Sequence, residues 1–300
     1  MRDLMINSSF DNLNIAVSEY LVDNAKANVL IVHGMIEHRK RYDDFAKFLN
    51  EQHYNVYTFD KRGHGESTNE DITLGYFGRG DGVMALMSDY LDILKYIKSE
   101  NSLPTHVFAH SMGTIETRCF LQLNSHLVDK VVLSGAPNYQ SATKLGILIA
   151  KLFSLGSGEK KSSKLIYNLS LGAFAKKIKD RETELDWLSF NKDNVKRYQN
   201  DPFCSFSFTN NGYLTLFKLL NQMHNQGAYL STKENSILFI YGEEDPCTGY
   251  QKGIDSSVKT LRKAGFKNIS IKAFPNMRHE ILQEDNKKDV YEEVLNFYER

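Results

Sequence analysis

The chain offers almost no covalent or metal-binding framework. It holds three cysteines, Cys119, Cys204 and Cys247, odd in number, far apart and never as C-x-x-C. That spacing excludes a disulfide scaffold and a zinc knuckle and fits a reducing compartment. There is no excess of charge, since 37 lysines and arginines face 37 aspartates and glutamates. A protein that neutralises nucleic-acid phosphates needs a basic surplus, so no nucleic-acid partner is expected and a small uncharged substrate fits better. Long apolar runs are missing too. The greasiest stretch, LGILIA at 145–150, falls far short of the about 20 residues that cross a bilayer, and the opening MRDLMINSSFDNLN has no apolar core of a secretion signal. No transmembrane segment is expected, any contact with a membrane surface would be transient, and the protein reads as cytoplasmic. Only five prolines occur, Pro104, Pro137, Pro202, Pro246 and Pro275, each at the edge of an expected element or within a helical stretch. In those places the missing N–H costs no ladder bond.

What remains is an ordinary globular composition, 41% hydrophobic and 25% charged over 300 residues, enough for one large α/β domain or two smaller ones. Short β-branched or aromatic runs alternate with longer segments of helical spacing. NVLIVHG (28–34) precedes RYDDFAKFLNEQ; NVYTFD (55–60) precedes a glycine-rich loop and GVMALMSDYLDILKYIKSE; THVFAHS precedes MGTIETRCFLQL, and KVVLSGAP (130–137) follows. Such alternation predicts a parallel sheet covered on both faces. From 138 to 234 the segments look helical and no strand is convincing, with SLGSGEKKSS (154–163) reading as a mobile loop. Strands resume at SILFIYGEED (236–245) and ISIKAFP (269–275), each followed by a helix. The simplest organisation is a sheet domain, 1–137 and 235–300, interrupted by a helical insertion over 138–234.

Within this frame AHSMG at 109–113 stands at a strand end and opens a helix. A nucleophile elbow holds its serine on a strained strand-to-helix turn that tolerates only small residues two positions to either side; Ala109 and Gly113 are those residues, and Ser111 is the nucleophile candidate. Serine needs a base oriented by an acid. The later strands supply both in the order Ser, acid, His: Glu243, Glu244 and Asp245 compete after one strand, with Asp245 the one followed by proline, and His279 follows the last. These sit at C-terminal strand ends, where open α/β sheets place their ligands. His33-Gly34 closes an earlier strand, where the N–H of Met35 can join that of Met112 at one oxygen.

With these pieces together, the sequence resembles the α/β-hydrolase superfamily, in its lysophospholipase and monoacylglycerol lipase-like branch. HGMIEHRKRY is similar to that branch's HGxxEHxxRY, FDKRGHGES to its D-x-R-G-H-G-x-S loop, and VKRYQNDPFC to a cap segment ending in Asp-Pro, while EEDPCTGYQKGI and MRHEILQE look like its acid and histidine segments. The resemblance implies an α/β-hydrolase fold, a mostly parallel central sheet with helices on both faces and a helical cap insertion. It implies Ser111 as nucleophile, Asp245 as acid, His279 as base, Met35 and Met112 as oxyanion donors, and an ester with an acyl chain, lysophospholipid or monoacylglycerol, as substrate. Ala109 and Thr114 depart from it, standing where glycine is common.

Other features carry plainer readings. Glu37, His38, Arg41 and Tyr42 either brace the oxyanion loop or begin an exposed helix. Asp60, Arg62, His64 and Ser67 are expected to fix their own loop. GYFGRGDG lacks the G-x-G-x-x-G spacing, and HEILQ has no second histidine at i+4, so neither phosphate cradling nor a zinc site follows. No metal or organic cofactor is implied. Two further functions stay open: an aminopeptidase or amidase of the same fold, with Glu182 and Glu184 holding an amino terminus, and a binding protein that keeps the triad without catalysis.

Overall fold

A computed structural model describes all 300 residues. Eight strands form one sheet: β1 (Arg2–Asn7), β2 (Asn14–Tyr20), β3 (Ala27–Val32), β4 (Tyr54–Phe59), β5 (Thr105–His110), β6 (Lys130–Ser134), β7 (Ser236–Gly242) and β8 (Ile269–Phe274). Their order across the sheet is β1-β2-β4-β3-β5-β6-β7-β8. From β4 to β8 all pairs are parallel; β1–β2 and β2–β4 are antiparallel. The parallel strands are those expected from sequence. β1 and β2 are not: β1 is an edge strand that stays partly wet along its whole length, and β2, although buried from Ile15 to Tyr20, is broken by the buried polar Ser18 and Glu19.

The helices are α1 (Asp43–Glu51), α2 (Gly82–Glu100), α3 (Met112–Asn124), α4 (Thr143–Phe153), α5 (Lys164–Leu169), α6 (Gly172–Ala175), α7 (Lys192–Asn200), α8 (Asn210–Met223), α9 (Tyr250–Lys263) and α10 (Lys287–Glu299). Strand periodicity sends Leu30, Val32, Val107, Ala109 and Leu133 to one face, under α2, α3 and α9. The intervening Val29, Ile31, Phe108 and Val132 go to the other, under α1 and α10. Both faces are thus dry, which is why β3, β4 and β5 are buried at every position and read as apolar runs.

Between β6 and β7 there is no strand: α4 to α8 are joined by turns, short 3-10 helices and an irregular run over 176–191. Ala150, Ile166, Trp187, Phe208, Leu216 and Leu219 from this stretch share a third core with Ile36, Phe77, Met112 and Ile115. It therefore roofs the C-terminal edge of the sheet, over Gly34, Ser111, Asp245 and His279. The tract 154–163, expected to be mobile, is tied to the start of α8: the Asn210 N–H donates to the carbonyl of Lys161 at 2.7 Å, and that of Asn211 to Glu159 at 3.1 Å.

Candidate active site

Ser111 caps α3 with φ 50° and ψ −118°, a conformation in which a non-glycine residue is held only by its surroundings. Those surroundings can be named. The Ser111 N–H donates to the carbonyl of Ser134 at 2.9 Å, and its own carbonyl accepts the Thr114 hydroxyl at 2.7 Å. A side chain at Gly113 would run into the carbonyl oxygens of Val32 and His33, so only glycine lets α3 start this close to β3. Ala109 is accommodated, its methyl fully buried in the sheet core. Thr114, the other departure from the family pattern, contributes the bond that pins the elbow.

The structure brings Ser111, His279 and Asp245 together. His279 Nε2 lies 2.8 Å from Ser111 Oγ and His279 Nδ1 2.8 Å from Asp245 Oδ2. The second Asp245 oxygen accepts the Cys247 N–H at 2.8 Å. Asp245 is fully buried, whereas Glu243 and Glu244 face solvent, so of the three carboxylates Asp245 is the one bonded to His279. The His279 ring packs between His110 and Trp187, with centroids 4.7 and 5.0 Å away. Burial alone would lower its pKa, but the charge and hydrogen bond of Asp245 outweigh burial and raise it. His110 has no such partner; burial and the neighbouring His279 push it down to about 3, so it stays neutral.

The turn after β3 faces the serine: a Cβ built on Gly34 would stand 3.1 Å from Ser111 Cβ. Met35 and Met112 donate to no acceptor among the loop and cap backbone bonds, which leaves two N–H groups free on either side of Ser111. Ile36 holds a φ of 57° and passes its carbonyl to the Tyr198 hydroxyl at 2.7 Å. Glu37 takes the Gly34 N–H and, at 2.9 Å each, the Tyr42 hydroxyl and Arg41. Arg41 also makes a forked pair with Glu280 at 2.7 and 2.8 Å, and Asn194 of α7 donates to the same carboxylate at 2.6 Å. Glu37, Arg41 and Tyr42 are thus a brace, and His38, buried beside them, bonds instead to Asp201 at 2.8 Å; none of the four is an exposed helix start. Burial would raise the Glu280 pKa, yet Arg41 overrides it and holds the group at about 2.

Asp60, Arg62, His64 and Ser67 fix their loop as expected. Asp60 accepts the Arg39 N–H at 2.7 Å, Arg62 pairs with Asp89 at 2.6 Å, and the Ser67 hydroxyl donates to the Asp60 carbonyl at 2.7 Å.

A cavity of about 420 Å³ opens above Ser111, and 17 of its 29 lining residues are hydrophobic, among them Ile149, Leu171, Phe174, Leu216 and Phe217. A larger groove of about 830 Å³ lies by Lys40, Glu66 and Arg197, holds one hydrophobic residue and does not reach Ser111. Glu182 and Glu184 line neither; each is exposed and paired, with Lys192 and Arg181 respectively. The acidic pair considered for holding an amino terminus is therefore not at the site.

A family model described as serine aminopeptidase, S33, matches residues 23–286. The chain belongs to the serine aminopeptidase S33 family. The chain is 27% identical to rat monoglyceride lipase over 181 residues, 59% of this chain and 52% of the lipase, so that match spans about half the relative's length. A monoglyceride lipase homolog of monkeypox virus is 24% identical over 274 residues, 90% of this chain and 88% of that protein. The S33 member also superimposes on a thermostable carboxyl esterase from Bacillus coagulans, solved in complex with glycerol, with a TM-score of 0.89, 22% identity and coverage of 99% and 97% of the two chains. This last likeness establishes the α/β-hydrolase fold.

Of the site's parts, sequence reasoning missed Glu280, Asn194 and Tyr198. The first follows His279 directly and was readable as a second buried charge; the others sit on α7, whose polar sequence KDNVKRYQN gives no sign of facing inward.

Proposed function

We propose that the protein is a carboxylic ester hydrolase acting on lipid esters of the monoacylglycerol or lysophospholipid type through an acyl-enzyme on Ser111. One observation carries the reading: the Ser111–His279–Asp245 chain of 2.8 Å contacts lies at the floor of a mainly apolar cavity. In the reaction Ser111 Oγ attacks the ester carbonyl while His279 Nε2 takes its proton. The tetrahedral oxyanion is held by the N–H groups of Met35 and Met112. On collapse His279 returns the proton to the departing alkoxide, then activates water to release the acid. The stretch 138–234 acts as a cap over the acyl chain. Leu145 and Leu169, which line the cavity, are also exposed, and Leu148, Leu152 and Phe153 beside them on α4 are exposed as well. An apolar rim of this kind suits transient contact with a lipid surface. The three buried free thiols agree with a cytoplasmic setting, and the names of the relatives agree with the substrate class.

The aminopeptidase reading is weaker. The cavity's only carboxylates, Glu37 and Glu280, are both taken by Arg41, and Lys177, its only lysine or arginine, has no carboxylate partner. A charged amino terminus would meet a cation and no free anion. The test is a fluorophosphonate probe combined with a hydrolysis panel of monoacylglycerols, lysophospholipids and aminoacyl amides. Labelling is expected at Ser111, absent in Ser111→Ala, with turnover of the esters. Labelling elsewhere, or turnover of the amides alone, overturns the proposal.

A further inference from the structure

A lysine with no exposed surface lies behind the turn that carries Met35. Lys61 follows β4 and occupies the variable position of the D-x-R-G-H-G-x-S loop; its side chain is 0% exposed and that of its partner Glu116 is 2% exposed, with Nζ and Oε1 3.0 Å apart. Burial pulls the Lys61 pKa down, and Glu116 opposes it; burial pushes the Glu116 pKa up, and Lys61 opposes it. The interior therefore disfavours both charges. Ion pairs buried this deeply seldom add stability beyond what a packed apolar pair would give, so the pair calls for an explanation other than stability.

Geometry supplies one. The Lys61 Nζ also donates to the carbonyl of Gly34 at 3.3 Å. That carbonyl belongs to the same peptide unit as the Met35 N–H. Its other donor is His33, whose Nε2 accepts the Lys61 N–H at 3.0 Å; the proton is thus on Nδ1, 2.8 Å from the Gly34 oxygen. Glu116, meanwhile, lies one turn along α3 from Met112. Lys61 is consequently the one side chain bonded both to the peptide that carries the first oxyanion donor and to the helix that begins with the second.

We propose that Lys61 is a positioning residue for the oxyanion hole, holding the plane of the Gly34–Met35 peptide and its distance from the start of α3 through Glu116. A donor on a peptide carbonyl also polarises that unit, strengthening its N–H toward developing negative charge. This rests on Ser111 being the nucleophile, which the probe labelling tests separately.

The decisive variant is Lys61→Met combined with Glu116→Leu, which removes both charges at once and leaves no buried carboxylate unpaired. Melting temperature within a few degrees of wild type is expected. For a short soluble ester, kcat is expected to fall about tenfold at unchanged KM, a fraction of the 10²–10³ lost when an oxyanion donor is deleted outright, because His33 still holds the carbonyl. Affinity for a trifluoromethyl ketone, whose Ser111 adduct carries an oxyanion, should fall by the same factor. A stable double variant with wild-type kcat and ketone affinity would show that the pair only fills space. Should the double variant fold poorly, Glu116→Gln decides the matter: it keeps an acceptor for Lys61 and should hold kcat within about twofold, and a loss there as large as in Lys61→Met overturns the proposal. If wild type itself turns over no ester and takes no probe, the hydrolase reading fails instead.

Discussion

His279 stands under two opposing influences, burial that favours its neutral form and Asp245 that favours its cation, and the carboxylate wins. The catalytic consequence has a definite sign. The base must be neutral to accept the Ser111 proton, so the acid limb of kcat/KM should lie above 6.5, the ordinary imidazole value, measured with a substrate that does not titrate. Asp245→Asn removes the charge that raises the limb and leaves the imidazole without its fixed tautomer; kcat should fall on the order of 10⁴, as in comparable triads. Glu243→Gln and Glu244→Gln should stay near wild type, because both are exposed. An acid limb below 6.5, or a crippling Glu244→Gln, would move the acid role away from Asp245. That choice among three adjacent carboxylates was not available from residue spacing, since all three end the same strand; only the turn, which buries one and turns two outward, separates them. His279 and Ser111 were easier to read because each is the only residue of its type that closes its strand: Ser111 follows the buried β5 and opens α3, and His279 is the one histidine after β8.

At the level of elements, readability followed residue type more than burial. The parallel strands carry β-branched and aromatic runs, whereas β1 is half wet and β2, buried from Ile15 to Tyr20, includes Ser18 and Glu19, so both were passed over. The run LIYNLSLGAFAKKIK reads as one helix but is two, α5 and α6: the Ser170 hydroxyl bonds to the carbonyls of Ile166 and Tyr167 at 2.8 and 3.1 Å, closing α5 by a side-chain bond that competes with the helical ladder. α4 is legible as a helix, but not in its orientation, because it is apolar nearly all round. In the structure it turns Ala150 inward while Leu148 is 54% and Leu152 57% exposed. If that outer face meets lipid surfaces, Leu148→Glu with Leu152→Glu should lower turnover of esters presented in vesicles at least tenfold and leave turnover of a soluble short ester within twofold. Equal losses on both would place the effect in the cavity or in stability.

For the whole molecule, the proposed reaction depends on two layers meeting along one edge: a sheet that presents Ser111, Asp245 and His279 at its strand ends, and a helical stretch whose apolar residues close the space above them. Arg41 ties the layers, since it reaches Glu37 beside the oxyanion turn, Glu280 after the histidine and Asn194 on α7. The cavity between them was not legible from residues 138–234, whose Leu, Ile and Phe content serves equally to pack helices onto a core. It is proposed as a substrate site because Leu145, Ile149, Phe174 and Phe217 border the same open volume as Ser111. This predicts how rate depends on chain length. Each methylene moved from water into that volume is worth about 0.8 kcal/mol, close to fourfold, and a contact remote from the reacting carbonyl holds substrate and transition state alike, so it appears in kcat/KM. In a series of glycerol monoesters from acetyl upward, kcat/KM should climb by roughly that factor per carbon and level off when the cavity is full. Phe217→Ala, which enlarges it, should shift the plateau to longer chains. A flat series together with cleavage of aminoacyl amides would reassign the cavity to an amino-terminal residue while leaving the Ser111 chemistry in place.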